Sequence, residues 1–327
     1  MNISTDVLSP APHSARLIDV RVTNVRALTA DTKLIEFQPV AGAALPAAQP
    51  GAHIDVHLPD GMIRQYSLVN PNAAPSSYAI GVKLDPNSRG GSRYLFERLA
   101  SGQSLSIGAP RNHFPLTPNA RHSVLFAGGI GITPIWAMLQ QLKASASSWE
   151  LHYAARSRAD MAFREELEAL EAAHLHFDDE NDGKVLDLGA IASQAPPETH
   201  FYCCGPVPML DAFRAATAAM PSEQVHFEYF AAKEERNLDG SFVVELARSG
   251  KEFFIPPGKS ILEVLHEAGF DADSSCQEGI CGICETAVIS GIPDHRDAVL
   301  SDHERATNKI MMICCSGSKT DRLVLDK

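Results

Sequence analysis

Three of the seven cysteines lie within nine positions of one another, in the segment DSSCQEGICGICETAV that begins at Asp273. Cys276, Cys281 and Cys284 have the spacing C-x4-C-x2-C, and Cys314 follows 30 positions after Cys284. With this spacing, four thiolates hold a plant-type [2Fe-2S] cluster. A loop around an anionic cluster also needs backbone N–H groups turned toward sulfur and residues that tolerate positive φ, which the small residues provide: Ser274, Ser275, Gly279 and Gly282.

Two simpler interpretations compete with the cluster: a structural zinc site and a set of buried, inert thiols. Zinc sites usually pair two C-x2-C knuckles or add histidines, whereas here one cysteine stands five residues before a single knuckle. Inert thiols have no reason to follow this spacing. The identity of the fourth ligand stays open, because Cys314 and Cys315 are neighbours.

Two short motifs further upstream indicate nucleotide chemistry. AGGIGITP, from Ala127 to Pro134, separates a predicted buried strand from a helix predicted to begin near Thr133, and CGPVPM follows another predicted strand. Ligands of open α/β sheets bind beyond the carboxyl ends of strands, where a glycine turn and a helix N-terminus favour a pyrophosphate. Alone, such a turn is equally compatible with tight packing.

The elements that must position these motifs change character along the chain. From Arg16 to about Leu116, alternating apolar residues with Gly and Pro turns predict a small antiparallel barrel. Strands that alternate with helices then predict a doubly wound parallel sheet, with a second helix over MAFREELEALEAAH. FAAKEERNLDGS, from Phe230 to Ser241, has the composition of a linker. Two strands and a short helix follow and lead into the cysteine segment.

Composition excludes several classes of protein. The net charge of −12 argues against nucleic-acid binding, and no run approaches the roughly 20 apolar residues of a membrane span. The N-terminus lacks the apolar core of a secretory signal, so we expect a cytoplasmic protein.

Five motifs occur in the order and rough spacing of the ferredoxin-reductase superfamily: RQYSLVN, SRGGSRYL, GGIGITP, YCCGPVPM and HFEYF. With the cysteine segment at the C-terminus, the chain from about Arg16 to Lys327 resembles the phthalate dioxygenase reductase and vanillate O-demethylase reductase family. The resemblance implies an FMN-binding β-barrel domain (1–118), an NAD(P)H-binding α/β domain (119–230), a linker (231–238) and a β-grasp [2Fe-2S] ferredoxin domain (239–327).

The resemblance also implies roles for individual residues. Ser67, Cys204 and Phe230 would lie where hydride transfer occurs, with Phe230 covering the flavin where nicotinamide enters. The cluster ligands would be Cys276, Cys281, Cys284 and, by the family's spacing, Cys314. The residues implied to bind the flavin are Arg64, Gln65, Tyr66, Ser67, Gly81, Val82, Lys83, Gly90, Gly91 and Ser92. Those implied to bind the pyridine nucleotide are Gly129, Gly131, Thr133, Pro134, Arg156, Cys204, Gly205 and Pro206.

The implied function is electron transfer from NADH through FMN to [2Fe-2S] and on to a Rieske-type terminal oxygenase, by a monomer. A hydride carries two electrons and a cluster accepts one, so a flavin is needed to split the pair. The alternatives are a stand-alone NAD(P)H-dependent flavin or ferric reductase and a redox sensor, although a sensor would not need the nucleotide motifs.

Other polar residues allow further interpretations. NADPH stays possible, since Arg156 and Arg158 could meet a 2′-phosphate, while Asp160 could accept from a free 2′-OH. Among the thirteen histidines, His174, His176 and His295 are expected to be scattered surface residues rather than metal ligands.

Overall fold

A computed structural model describes residues 17–40, 44–72, 74–86, 88, 90–230 and 240–327, except for the side chain of Asp302. The predicted linker at 231–238 lies outside these residues. Three large sheets follow one another along the described chain, and each encloses its own apolar core.

The first sheet is antiparallel and has seven strands. Alternating burial along the first strand, in which Val20 and Val22 point inward, is the pattern of a strand with one face on a core. The strand order is β4-β3-β6-β1-β2-β5, with β7 paired to β3, and a bridge from Leu68 to Ile80 joins the end of β4 to β5. The strands are β1 (Ile18–Ala27), β2 (Thr32–Pro39), β3 (Ala52–His57), β4 (Ile63–Ser67), β5 (Tyr78–Lys83), β6 (Ser104–Ile107) and β7 (Arg111–Asn112). Between β5 and β6 lie helix α1 (Gly91–Arg93) and a π-helical turn (Tyr94–Arg98).

The second sheet is parallel, with the order β10-β9-β8-β11-β12. Its strands are β8 (His122–Gly128), β9 (Trp149–Ala155), β10 (Ala173–Phe177), β11 (Thr199–Cys204) and β12 (Val225–Glu228). Its helices are α2 (Ile132–Ala144), α3 (Arg164–Glu168), α4 (Leu188–Gln194) and α5 (Val207–Thr217). Helix α2 packs on one face, and α4 and α5 pack on the other. The order reverses between β8 and β11, which is where such sheets bind ligands.

The second helix of this domain is shorter than the sequence predicts. Phe163 has φ 58° and only Arg164–Glu168 is α-helical, so the predicted helix over MAFREELEALEAAH is wrong at both ends. Met161 and Phe163 are buried against the sheet, and Ala173 already pairs with Leu151 in β9. Packing and strand pairing therefore override the helical propensity of this segment.

The third sheet is mixed and has the order β14-β13-β19-β15-β17. Its strands are β13 (Phe242–Leu246), β14 (Lys251–Ile255), β15 (Glu285–Ser290), β17 (Ile310–Met312) and β19 (Arg322–Leu325), and β16 (Pro293–Asp294) pairs with β18 (Gly317–Ser318) beside them. Helix α6 (Ile261–Glu267) begins at a capping box formed by Ser260 and Glu263, and α7 (Asp302–Thr307) follows β16. The cysteine segment joins α6 to β15. The predicted fold class of barrel, doubly wound sheet and ferredoxin-like sheet is confirmed.

Candidate functional site

The two glycine-containing turns of the parallel sheet lie against each other at the point where the strand order reverses. A Cβ added to Gly131 would lie 2.1 Å from the Cys204 carbonyl oxygen, so only glycine permits this approach. A Cβ added to Gly128 would lie 3.3 Å from the Gly205 Cα, so these two glycines are also neighbours. The two turns therefore form one continuous backbone surface, with the N-terminus of α2 above it.

A cavity of about 500 Å³ opens over this surface. Among its lining residues are five predicted to bind the pyridine nucleotide, together with Phe230, which is predicted to cover the flavin: Gly129, Gly131, Arg156, Gly205 and Pro206. Pro134 is buried in α2 and supports the turn from below. Cys204 is fully buried, and burial, assisted by Glu228, raises the pKa of its thiol well above the usual value. The Cys204 thiol is therefore protonated at neutral pH.

The charged residues that follow β9 differ in their hydrogen-bond partners. Arg158 donates from Nε to Glu180 Oε1 at 2.5 Å and from Nη2 to Glu180 Oε2 at 3.0 Å. Asp160 Oδ2 accepts from Ser157 Oγ at 2.8 Å, while Arg156 and Asp160 both line the cavity. Arg158 is thus held by a carboxylate, whereas Arg156 faces the cavity.

A second cavity, of about 250 Å³, lies over the barrel segment RQYS. Its lining contains these predicted flavin-site residues and residues of the predicted nucleotide turn: Arg64, Gln65, Tyr66, Ser67, Gly81, Lys83, Ser92, Ile130, Thr133 and Phe230. Gly91 lies against the Arg64 side chain, and Gly90 adopts φ 117° beside it. Val82 is different, since its side chain is buried in the barrel core. Lys83, Ile130, Tyr229 and Phe230 line both cavities, so the two adjoin at Phe230.

Two buried titratable groups at the second cavity were missed from the sequence. His53 Nδ1 lies 4.0 Å from Glu228 Oε1. Burial raises the pKa of Glu228 to about 8, and burial together with the charge of Arg111 lowers the pKa of His53 to about 3. Both groups are therefore uncharged at pH 7. Within the part of the chain that the structure describes, the two His53 ring nitrogens and Glu228 Oε2 have no hydrogen-bond partner.

These buried polar atoms are what a polar ring ligand requires from its site, and they fit a flavin or nicotinamide. Glu228 could have been identified as a site residue from the sequence, because it belongs to the motif HFEYF. His53 could not, because it lies in an ordinary strand pattern.

The cysteine segment brings the four predicted ligands together. Cys276 lies within hydrogen-bond reach of Cys281, and Cys284 within reach of Cys314. All four are buried, and the Glu278 N–H donates to Cys276 Sγ at 3.3 Å. The neighbouring Cys276 thiol and backbone N–H groups lower the pKa of Cys281. Two neighbouring pairs of thiols that receive backbone N–H groups suit a cluster with two iron atoms.

Cys315 lies on the other side of Cys314. Its Sγ is 3.8 Å from the Met312 carbonyl oxygen and 3.9 Å from Ser316 Oγ. Gly279 has φ 72°, and a Cβ there would lie 2.4 Å from Cys315 Sγ. Cys315 therefore packs beneath the loop, whereas Cys314 faces Cys284.

The cysteine loop touches the barrel beside the second cavity. Gln65 Nε2 donates to Asp55 Oδ1 at 3.0 Å and to Ser275 Oγ at 3.4 Å. Glu278 and Ile280 line the second cavity together with Tyr66. The barrel, the parallel sheet and the cysteine loop thus all contribute to one cavity.

Taken together, the fold and site define an electron-transfer oxidoreductase built from a flavin barrel, a pyridine-nucleotide domain and an iron–sulfur domain. Two family models match the chain: the 2Fe-2S iron-sulfur cluster binding domain at residues 244–318 and the oxidoreductase NAD-binding domain at residues 125–215.

The chain is similar to known proteins over nearly its whole length. It is 54% identical over 316 residues to tetrachlorobenzoquinone reductase from Sphingobium chlorophenolicum, covering 94% of this chain and 98% of the relative. It is 42% identical over 316 residues to vanillate O-demethylase oxidoreductase from Pseudomonas sp. (strain HR199 / DSM 7063), covering 95% and 100%. The solved structure of phthalate dioxygenase reductase superposes with a TM-score of 0.74 and 38% identity, covering 95% of this chain and 98% of that one.

The chain belongs to the phthalate dioxygenase reductase and vanillate O-demethylase reductase family, which combines FMN, NAD and plant-type [2Fe-2S] domains. It is an NADH-dependent electron-transfer reductase. The predicted family, enzyme class and cofactors are confirmed, and the cluster is favoured over the zinc site. No helix among the described residues is both long enough and apolar enough to cross a membrane.

Proposed function

We propose that this chain is the reductase component of a Rieske-type aromatic-ring dioxygenase or O-demethylase system. It would pass electrons from NADH through FMN to a [2Fe-2S] cluster and then to the terminal oxygenase. The domain boundaries that we propose are those expected from the sequence: 1–118, 119–230, 231–238 and 239–327.

One observation carries the proposed order of carriers. The cavity over RQYS adjoins the nucleotide cavity at Phe230 and is also lined by Glu278 and Ile280 of the cysteine loop. A group held in this cavity would have the nucleotide on one side and the cluster ligands on the other. That arrangement supports transfer in sequence rather than two independent redox sites.

The side chains would bind and orient rather than exchange protons with substrate. Arg64 and Ser92, beside the backbone of Gly90 and Gly91, would hold the flavin phosphate, because a guanidinium and backbone N–H groups suit an anion. Gln65, Tyr66 and Ser67 would lie along the ring system, and Phe230 would give way to the nicotinamide. When bound, FMN accepts two electrons as a hydride and passes them on singly.

The cavity rim supports NADH as the preferred donor. Arg158 is held by Glu180, and Asp160 is placed to accept from a free 2′-OH. Arg156 would lie along the adenosine side of the nucleotide. We expect the variant Asp160→Ala to lose preference for NADH over NADPH, measured as the ratio of the two kcat/KM values.

Electron transfer through the cluster can be separated from flavin reduction. The variant Cys284→Ser should abolish NADH-dependent reduction of cytochrome c but spare reduction of a dye that takes electrons from the flavin. Cys203→Ser is the matched control, because Cys203 is buried in β11 away from the cysteine loop. Equal loss of both activities in Cys284→Ser would contradict the order of carriers.

The fourth ligand can be identified in the same way. Cys314 lies beside Cys284, whereas Cys315 Sγ lies against the Met312 carbonyl oxygen and Ser316 Oγ, which supports Cys314 as the ligand. We expect Cys314→Ser to lose the visible absorption of the cluster and Cys315→Ser to keep it. The opposite pattern would assign the site to Cys315.

The charge of the C-terminal region supports an oxygenase as the partner. Residues 239–327 contain fifteen Asp or Glu and nine Lys or Arg, a net charge of −6 out of the whole chain's −12. Such a surface would attract a basic docking face over long range, so transfer to the oxygenase should slow as ionic strength rises. A rate independent of salt would contradict electrostatic docking. Size-exclusion chromatography should show a monomer.

A second function is direct reduction of a quinone. It is favoured by the 54% identity to tetrachlorobenzoquinone reductase. We would measure NADH oxidation by the purified chain with tetrachlorobenzoquinone and, separately, with a reconstituted aromatic-ring oxygenase. A kcat/KM for the quinone that greatly exceeds the one for the oxygenase would support the second function over the first.

A further inference from the structure

Three potential metal ligands converge on the outer part of the parallel sheet. Glu150 and His152 are two positions apart in β9, so their side chains lie on the same face of the sheet. His174 in β10 is paired in register with His152. His174 is exposed at the surface, as the sequence predicted, but His174 and His176 are not scattered, because strand pairing places both beside His152.

The three side chains direct their polar atoms toward one another. Glu150 Oε1 lies 2.7 Å from His152 Nε2 and 3.2 Å from His174 Nε2. All three ligand atoms lie within 4.8 Å of one another. The His152 and His174 rings are stacked with centroids 4.8 Å apart, so both imidazoles present the same edge to the carboxylate.

This set matches the chemistry of zinc. Zn²⁺ binds imidazole nitrogen and carboxylate oxygen at about 2.0–2.2 Å, and a tetrahedral site with these bond lengths separates its ligands by roughly 3.3 Å. The separation of 3.2 Å between Glu150 and His174 already fits. The 2.7 Å separation from His152, and the separation of at most 4.8 Å between His152 and His174, would reach this value by rotation of the side chains.

His176 lies where it can support the ring of His152 in a metal complex. Without an ion, His152 Nε2 donates to Glu150 Oε1 at 2.7 Å; once an ion takes Nε2, a proton on Nδ1 can be donated to His176 Nε2, 3.2 Å away. Phe126 stacks against the other side of the His152 ring at 5.6 Å.

The site is both supported and accessible. The side chain of His152 is 8% exposed, whereas those of Glu150 and His174 are 36% and 46% exposed, so an ion can enter from solvent. The nucleotide cavity uses Ala154, Ala155 and Arg156 at the opposite end of β9. At about 3.3 Å per residue, Glu150 and Arg156 are roughly 20 Å apart along the strand.

We propose that Glu150, His152 and His174 form a binding site for one divalent transition-metal ion, best suited to Zn²⁺. The fourth position would be taken by water, and binding would release any proton shared between the carboxylate and an imidazole. The ion would join the edge strand β10 to β9 and stabilise the nucleotide-binding sheet.

Isothermal titration calorimetry of Zn²⁺ into the oxidised holoprotein tests the site. We expect one Zn²⁺ per chain, a rise in melting temperature and unchanged visible absorption of the cluster and flavin. His174→Ala and Glu150→Ala should each weaken binding more than tenfold. His122→Ala is the matched control, because His122 begins β8 in the same sheet and bonds Ser148 Oγ at 2.8 Å.

A fourth variant separates a metal site from a plain hydrogen-bonded cluster. His176→Ala keeps all three ligands but removes the support of His152, and should weaken Zn²⁺ binding by about 10–100-fold. The proposal is overturned if Zn²⁺ does not bind at one per chain. It is also overturned if His174→Ala and Glu150→Ala bind like the unaltered protein, or if binding is accompanied by loss of cluster absorption.

Discussion

Removing Arg111 from its buried ion pair with Asp55 should strongly destabilise the barrel next to the cysteine loop. Arg111 donates from Nη1 to Asp55 Oδ2 at 3.0 Å and from Nη2 to Oδ1 at 2.7 Å. The Asp55 side chain is only 8% exposed and that of Arg111 20%. Burial alone would raise the pKa of Asp55, but the hydrogen bonds and charge of Arg111 outweigh burial and lower it.

The variant Arg111→Met keeps much of the apolar stem but leaves the Asp55 carboxylate buried without its cation. Breaking a buried pair in this way costs about 3–5 kcal/mol. Urea denaturation of the holoprotein at pH 7, followed by release of the flavin, should show this loss. The control is Arg121→Met, because Arg121 and Glu198 form a pair whose side chains are 77% and 70% exposed. Its loss should cost less than about 1 kcal/mol.

The stability lost in Arg111→Met should also depend on pH, in a direction set by the pKa of Asp55. Because the pKa of Asp55 is lowered in the folded protein, the ion pair contributes its stability above the unfolded pKa of about 3.9 and loses it as pH falls through the folded value. In Arg111→Met, burial should raise the pKa of Asp55, so the variant's deficit should shrink as pH is lowered from 7 toward 4.5. Adding Asp55→Asn should restore part of the stability at pH 7. A deficit at pH 7 no larger than that of Arg121→Met would refute the reasoning.

Two further variants test the cavities. Gly131→Ala should raise the KM for NADH at least tenfold while flavin and cluster contents stay normal, because a Cβ would lie 2.1 Å from the Cys204 carbonyl oxygen. The control is Gly240→Ala, since Gly240 has open space around it. This variant should behave like the unaltered protein in the same steady-state assay. Glu228 has its pKa raised to about 8 by burial, so kcat/KM for NADH with a dye acceptor should fall up to tenfold per pH unit above 8 as a buried charge appears. Glu228→Gln should show a flat profile from pH 6.5 to 9.5, and a parallel fall in both proteins would exclude Glu228 as the cause.

The parts of the site that the sequence predicts are those whose chemistry is local. The C-x4-C-x2-C spacing and its glycines fall within nine positions, and both Gly279 and Gly282 adopt the positive φ expected of them. The glycine turn after β8 likewise needs only its neighbours and one facing strand. Such motifs can be recognised in the sequence because the residues of one short loop provide the whole geometry of the ligand site.

Residues brought together from distant parts of the chain escape this kind of reasoning. His53 reaches Glu228 across 175 positions of sequence, and nothing in the strand AHIDVH marks it. The two histidines of β10 were expected to be scattered, because their relation to His152 in β9 depends on the register of two parallel strands. The predicted helix over MAFREELEALEAAH failed for the same reason, since pairing of β10 with β9 decides where the helix ends.

The contact between the barrel and the cysteine loop shows why the function requires both local motifs and contacts between distant residues. A carrier that receives electrons from a nucleotide and gives them to a cluster must be approached from two sides, so its cavity needs walls from three separately folded sheets. Each sheet can be predicted from its own pattern, but Gln65 meets Ser275 only through the docking of one sheet on another. Residues on the surfaces where sheets pack together follow no periodic pattern in the sequence. Local motifs can therefore identify the carriers, while the contacts between their domains can be found only from the assembled structure.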